Sequence, residues 1–317
     1  MSEIGQNQLS KDVFWGITLT ACLTAAALYL PIGFVIGFLI PLPLIFYRIK
    51  LGRLFSWVIL CTVMAIVWMI FGKEGVRSEA FFLYFGLTGV ILAEAFAQNL
   101  SVEKTVLMTV GVVLGAGAIL LFAYTLLVPE SLGVLIKTYL RENIELAITL
   151  YKETGVSLEK IEILQDSLEE ILYIFVHIIP GIFVAFTLFT VWVNLLMTRS
   201  ILQKRNLFCP DFGSLNRWKS PEHLVWIAIG SGFLLLFPVS GLKILGLNGL
   251  IVLTVVYMFQ GLAIISYYFE KKKFPLLLRG LVYTLVAVQQ LLVIVVILAG
   301  FLDVWVDFRR LKGQQSY

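Results

Sequence analysis

The chain has 317 residues, 60% apolar and 14% charged, with a formal net charge of +4 and a mean hydropathy of +0.95. A soluble globular chain sits near half apolar and a quarter charged, so this balance excludes an ordinary water-soluble domain and points to lipid as solvent. The basic residues lie beside long apolar runs, where they set orientation, and form no stripe with interleaved aromatics; a nucleic-acid partner is excluded on that ground.

The N-terminus, Met1 to Lys11, is polar, and the apolar run after it is too long for a signal-peptide core, which predicts a retained first helix. That run extends from Phe14 to Tyr47 and is broken by Pro31, Pro41 and Pro43. A straight helix of about 34 residues would be ~51 Å long, well over a ~30 Å hydrocarbon core. Proline breaks helices, so the run divides into spans at 14–30 and 33–47, or stays one kinked crossing. Further spans follow at 54–72, 80–99, 104–128, 171–198, 223–239, 245–268 and 280–302. The expectation is an all-α polytopic transmembrane bundle of eight or nine helices, forming one integral membrane domain over 1–317.

The insertion 129–170 carries nine acids and four basic residues. Within it Leu158, Ile161, Leu168 and Ile171 recur at helical spacing, with Ser157 placed to cap the start. Ile136, Leu140, Ile144, Ala147 and Tyr151 form a similar stripe upstream. Together they predict a helical hairpin whose second helix runs into the span at 171–198, kinked at Pro180–Gly181.

Orientation follows from Lys and Arg in short loops. Arg48, Lys50 and Arg53 form one basic loop; Arg199, Lys204, Arg205, Arg217 and Lys219 form another, within 199–222; Lys271, Lys272, Lys273 and Arg279 form a third. Nine alternating spans put all three in the cytoplasm and the 129–170 insertion outside. The same count leaves the tail, with Arg309, Arg310 and Lys312, on the outer side, against the trend of the loops.

Polar groups inside spans are the candidate sites, because lipid cannot satisfy them. Glu94 could bind a cationic group or a proton, or reach a basic neighbour at the inner end of its helix. His177 lies one turn before Pro180–Gly181, where a broken helix can form a binding site, or it is a satisfied interhelical histidine. Asn194, Asn248, Gln260, Gln289 and Gln290 could line a pathway or bond between helices. Ala21 and Ala25, and Gly111 and Gly115, are small-xxx-small pairs that allow close packing inside the chain or docking of a partner.

Cys22, Cys61 and Cys209 show no CxxC spacing, and two histidines, His177 and His223, are too few for a multi-histidine metal centre. No nucleophile elbow, P-loop, HExxH or paired catalytic carboxylate occurs, and Asp211-Phe212-Gly213 matches a kinase triplet in letters only. Neither an enzyme nor a cofactor nor a metal is expected.

In the second half, Arg217-Trp218-Lys219-Ser220-Pro221 is followed by Trp226, by Gln260-Gly261-Leu262, and by Gly300, Asp303 and Arg309 in a Gly-x-x-Asp-x-x-x-x-x-Arg pattern. This set resembles the YybS-like family of uncharacterised bacterial inner-membrane proteins, which implies a multi-pass protein of the bacterial cytoplasmic membrane. The first six spans, with Ala21 and Ala25 in the first helix and prolines around Pro31, are also similar to the substrate-binding subunits (S-components) of energy-coupling-factor vitamin transporters. That resemblance implies Ala21 and Ala25 as docking residues for a membrane coupling subunit, and a ligand pocket covered by 129–170. The functional expectation is a transporter-like membrane protein that binds a small molecule or lipid. The alternative is a scaffold or assembly factor whose partner is an envelope protein.

Overall fold

The computed structural model describes residues 3–72, 76–127, 131–154 and 158–310, which form helices joined by turns and short loops. The helices are α1 (Glu3–Tyr29), α2 (Gly33–Gly37), α3 (Pro41–Leu51), α4 (Arg53–Phe71), α5 (Val76–Ala97), α6 (Val102–Leu127), α7 (Leu132–Glu153), α8 (Leu158–Asp166), α9 (Leu168–Lys204), α10 (His223–Leu234), α11 (Ser240–Lys271), α12 (Leu276–Val288) and α13 (Gln290–Val306). Seven described helices are long and apolar enough to cross a membrane, and α12 with α13 would pass the same test together. The protein is an all-α polytopic helical bundle.

The chain divides into two compact units, one of Met1–Ile119 with Phe186–Gly213 and one of Leu120–Ala185 with Ser214–Tyr317. In the first, Pro41 opens α3, a position where its missing N–H costs nothing. The core of this unit joins Ala27 of α1, Leu44 and Tyr47 of α3, Ile59, Leu60 and Val63 of α4, and Phe82, Phe85 and Val90 of α5. Most of these side chains lie three, four or eight residues from another on the same helix, so each helix offers an apolar stripe inward. The run 14–47 is therefore two helices separated by the short α2, as the prolines predict.

In the second unit, α10 and α11 pack around Ala228, Leu253 and Tyr257, with Ile297 and Phe301 of α13 against them. The insertion is helical: Ser131 caps α7 by accepting from the Val134 N–H, and Lys137 and Arg141 both pair with Glu169 at the start of α9. The expected Ser157 cap lies outside the described residues. A turn at Ser167 separates α8 from α9, so the hairpin's second helix stops just short of the span.

The 171–198 span lengthens to Leu168–Lys204, and the last three spans also differ from expectation. The 223–239 span is a shorter helix, α10, because turns begin after Leu234 ahead of Pro238. The 245–268 span lengthens to Ser240–Lys271. The 280–302 span is not one helix: α12 and α13 meet at a 102° bend. Gln289 there takes extended backbone, φ −95° and ψ 106°, with no proline or glycine to announce it.

Candidate functional site

Two clusters of buried polar side chains stand in the described residues, one in each unit; Thr20, Thr24, Ser56, Thr105, Thr109 and Ser231 are buried apart from them. In the first unit, Thr187, Thr190, Asn194 and Thr198 fall on one face of α9 at intervals of three and four, and all are buried. The Tyr84 hydroxyl of α5 donates to Thr187 Oγ1 at 3.1 Å and lies 3.5 Å from Thr190 Oγ1. Thr190 passes its own proton back to the Phe186 carbonyl at 2.8 Å, and Asn194 Nδ2 donates to the Thr190 carbonyl at 2.9 Å. Asn194 Oδ1 and Thr198 Oγ1 are buried with no hydrogen-bond partner. Above this stripe the Phe186 ring is stacked between Phe34, at 5.5 Å, and Tyr84, at 5.6 Å. The outcome is an aromatic layer leading to a polar stripe with unused acceptors.

Glu94 lies elsewhere in the same unit, three residues before the end of α5. Its carboxylate accepts from Arg48 Nε at 2.9 Å and Nη2 at 3.3 Å, and pairs with Arg53 Nε at 3.2 Å. Both oxygens are thus engaged by arginines at the end of α3 and the start of α4, the arrangement expected of an acid that reaches a basic neighbour.

The second cluster is built on α11, α13 and the 214–222 segment. Asp303 and Arg309 form an ion pair at 2.8 Å with both side chains fully buried. Asp303 Oδ2 also accepts from Gln260 Nε2 at 3.2 Å, and Oδ1 accepts from the Phe308 N–H at 2.9 Å. Arg309 Nη1 donates to the Asn216 and Trp218 carbonyls at 2.8 and 2.9 Å. Gln260 Oε1 accepts from the Ser220 N–H at 3.2 Å and hydroxyl at 2.5 Å. Lys219 pairs with Asp307 at the rim, at 2.5 Å. A buried charge pair is tolerated only when such extra bonds replace its water.

Gly261 and Gly300 make this node sterically possible. A Cβ on Gly300 would stand 2.0 Å from the Tyr257 carbonyl oxygen, and one on Gly261 would stand 2.0 Å from the Val296 carbonyl oxygen. The backbones of α11 and α13 therefore touch where they cross, which brings Asp303 onto Gln260. Arg309 Nε and Tyr257 Oη remain buried without a partner.

Residues far apart in sequence, which carried the resemblance in the second half, thus meet at one place, except for the exposed Trp226. The family model described as "Predicted membrane protein (DUF2232)" matches residues 18–304. The chain belongs to this family. No curated protein and no solved structure matches the chain. The DUF2232 match takes in both clusters up to Asp303 and stops short of Arg309.

The other expected site residues of this DUF2232 chain are dispersed. His177 is exposed, with Nδ1 2.7 Å from the Tyr173 carbonyl of its own helix. The groups disturbed by Pro180 are taken by Asn248, whose Oδ1 accepts from the Gly181 N–H at 2.6 Å and whose Nδ2 donates to the His177 carbonyl at 3.0 Å. Asn248 and Gln260 stand ~18 Å apart along α11. Hence His177, bonded to Asn248 through its carbonyl, and Gln260 stand well apart in the second unit. Ala21 packs against the first core, while Ala25 is exposed. Gly111 and Gly115 have open space beside them rather than a neighbouring helix. Trp218 and Pro221 shape the 214–222 segment, Trp218 through its carbonyl to Arg309 and Pro221 through its carbonyl to the Leu224 N–H.

Sequence reasoning missed Tyr84, Thr187, Thr190 and Thr198, and had Ser220 only as one letter of the 217–221 stretch. The α9 stripe was within reach: hydroxyls and an amide at 187, 190, 194 and 198 share one helical face. Ser220 carried no such signal, since only folding places it on Gln260.

Proposed function

We propose that this protein binds a small polar molecule, or the polar part of a lipid, along the α9 stripe of its first unit and helps move it through the membrane. The observation that supports this most is the pair of buried acceptors, Asn194 Oδ1 and Thr198 Oγ1, that no donor among the described residues reaches. In hydrocarbon an unsatisfied polar group costs several kcal/mol, so such groups mark a place for water or ligand. Tyr84, Thr187 and Thr190 extend the stripe with groups that can both donate and accept. The finer reading is a YybS-like protein of the bacterial cytoplasmic membrane with a fold of the S-component kind.

Thermal unfolding of the purified protein against a panel of vitamins, metal ions and lipids tests this. A ligand at 100 times its Kd stabilises by about 2.7 kcal/mol. At roughly 2–4 °C per kcal/mol, that raises Tm by about 5–11 °C. The shift should vanish in Asn194→Leu and persist in Glu94→Gln, whose lost charge lowers the baseline Tm instead. No shift with any compound, or an equal shift in Asn194→Leu, would refute the assignment.

One observation favours a scaffold. Gly111 and Gly115 leave a small-residue face of α6 open, the kind of face on which a second membrane helix packs. Co-purification of a stoichiometric envelope protein, lost in Gly111→Leu, would support that reading over ligand transport.

A further inference from the structure

The apolar run after Lys273 begins and ends against one region of α11. At the foot of α12, Arg279 donates from Nε to the Phe274 carbonyl at 2.9 Å and from Nη2 to the Phe269 carbonyl at 3.3 Å. The Tyr283 ring meets Phe269 edge-on at 5.5 Å. At the foot of α13, the Tyr268 hydroxyl donates to the Phe308 carbonyl at 2.7 Å. Arg309 holds the Asn216 carbonyl, and Asn216 in turn donates to Glu270. Both feet therefore stand at the Lys271 end of α11.

Between the feet the arms measure ~20 Å and ~26 Å and turn through 102°. They expose Leu285, Val288, Leu291, Val295 and Leu298, which water disfavours and lipid accepts. Non-helical backbone in lipid must keep its polar groups satisfied, and both backbone groups of Gln289 are. The Gln289 N–H donates to the Leu285 carbonyl at 2.8 Å, and the Gln289 carbonyl accepts from Leu292 and Val293 at 3.0 and 3.3 Å.

We infer that α12 and α13 form a re-entrant hairpin, latched by the Asp303–Arg309 pair. It enters the membrane from the face carrying Lys271–Lys273, turns at Gln289–Gln290 and returns to that face. Charge gives separate support. A crossing would carry Arg309 and Arg310 away from the basic loops, whereas the hairpin brings them back and leaves the positive-inside pattern without an exception. The inference is independent of any ligand in the first unit.

The test is labelling by a membrane-impermeant maleimide in right-side-out and inside-out vesicles. The background has Cys22, Cys61 and Cys209 changed to Ser, with single cysteines at K243C, K272C, R310C or Q289C. Lys243 and Lys272 mark the two ends of α11. R310C should label from the same side as K272C and opposite to K243C, and Q289C from neither side until detergent is added. Labelling of R310C with K243C means a true crossing and overturns the hairpin. Labelling of Q289C as fast as K272C means a surface helix and overturns it too. Should R310C fail to express, a protease site appended at the C-terminus reports the same side by cleavage. For the latch, R309M added to Q289C should raise its labelling from the K272C side several-fold; unchanged labelling overturns the latch.

Discussion

Among the described residues Arg309 is the largest fully buried side chain, and its charge is sustained by Asp303 and two backbone carbonyls. Removing one member strands the other in a low-dielectric interior, a loss of about 3–5 kcal/mol. Asp303→Asn and Arg309→Met should each lower Tm by roughly 6–20 °C at 2–4 °C per kcal/mol. The double variant should be less damaged than the sum, because no charge is stranded; strict additivity in detergent melts would show that the pair is not coupled. At Cys209, in the loop after α9, burial pushes the thiol above its ordinary pKa; Arg199 pulls it down and Asp211 adds to the rise. A raised thiol pKa leaves less thiolate at neutral pH. Alkylation of Cys209 should therefore be slower than that of a free thiol at pH 7.5 and climb with pH past the usual range. A rate already flat by pH 8.5 would contradict this.

Among elements, the joint between α9 and α11 illustrates how a proline is accommodated inside a long helix. Asn248 spans the gap that Pro180 opens, bonding both the His177 carbonyl and the Gly181 N–H. Asn248→Ala leaves those groups unpaired, at about 1–3 kcal/mol. Pro180→Ala should recover part of that loss, since alanine restores the α-helical ladder; equal loss with either residue at 180 would show the amide has another role. At the crossing of α11 and α13, Gly300→Ala forces the backbones apart and should cost about 1–3 kcal/mol by overpacking, read as a lower Tm. Pro180 was legible in sequence, although α9 runs through it as one helix, but the partner of its neighbouring groups was not: nothing in the order of residues pairs 248 with 177 and 181. The motif glycines were visible as letters, and only the close approach of two backbones explains why they are glycine.

At the scale of the whole molecule, hydropathy disclosed the membrane class and most spans, because a run of ~20 apolar residues has few alternatives to a crossing helix. The same signal failed at 276–306. The window around Gln289 and Gln290 stays apolar enough to read as a span, and one extended residue between two helices leaves no trace in composition. The candidate sites were legible only as isolated polar residues. Tertiary contacts sorted them: Glu94 to arginines, Asn194 to a stripe with Tyr84, Gln260 to the ion pair. The central claim about the second unit is that the 214–222 segment, the middle of α11 and the end of α13 are held as one body by Asp303 and Arg309. Hydrogen–deuterium exchange of the protein in lipid nanodiscs, with and without Arg309→Met, tests that claim most directly. The account predicts faster exchange in 214–222, 257–264 and 300–309 together, with α3 to α5 unchanged. Faster exchange confined to the residues around 309, or spread evenly over both units, would contradict it.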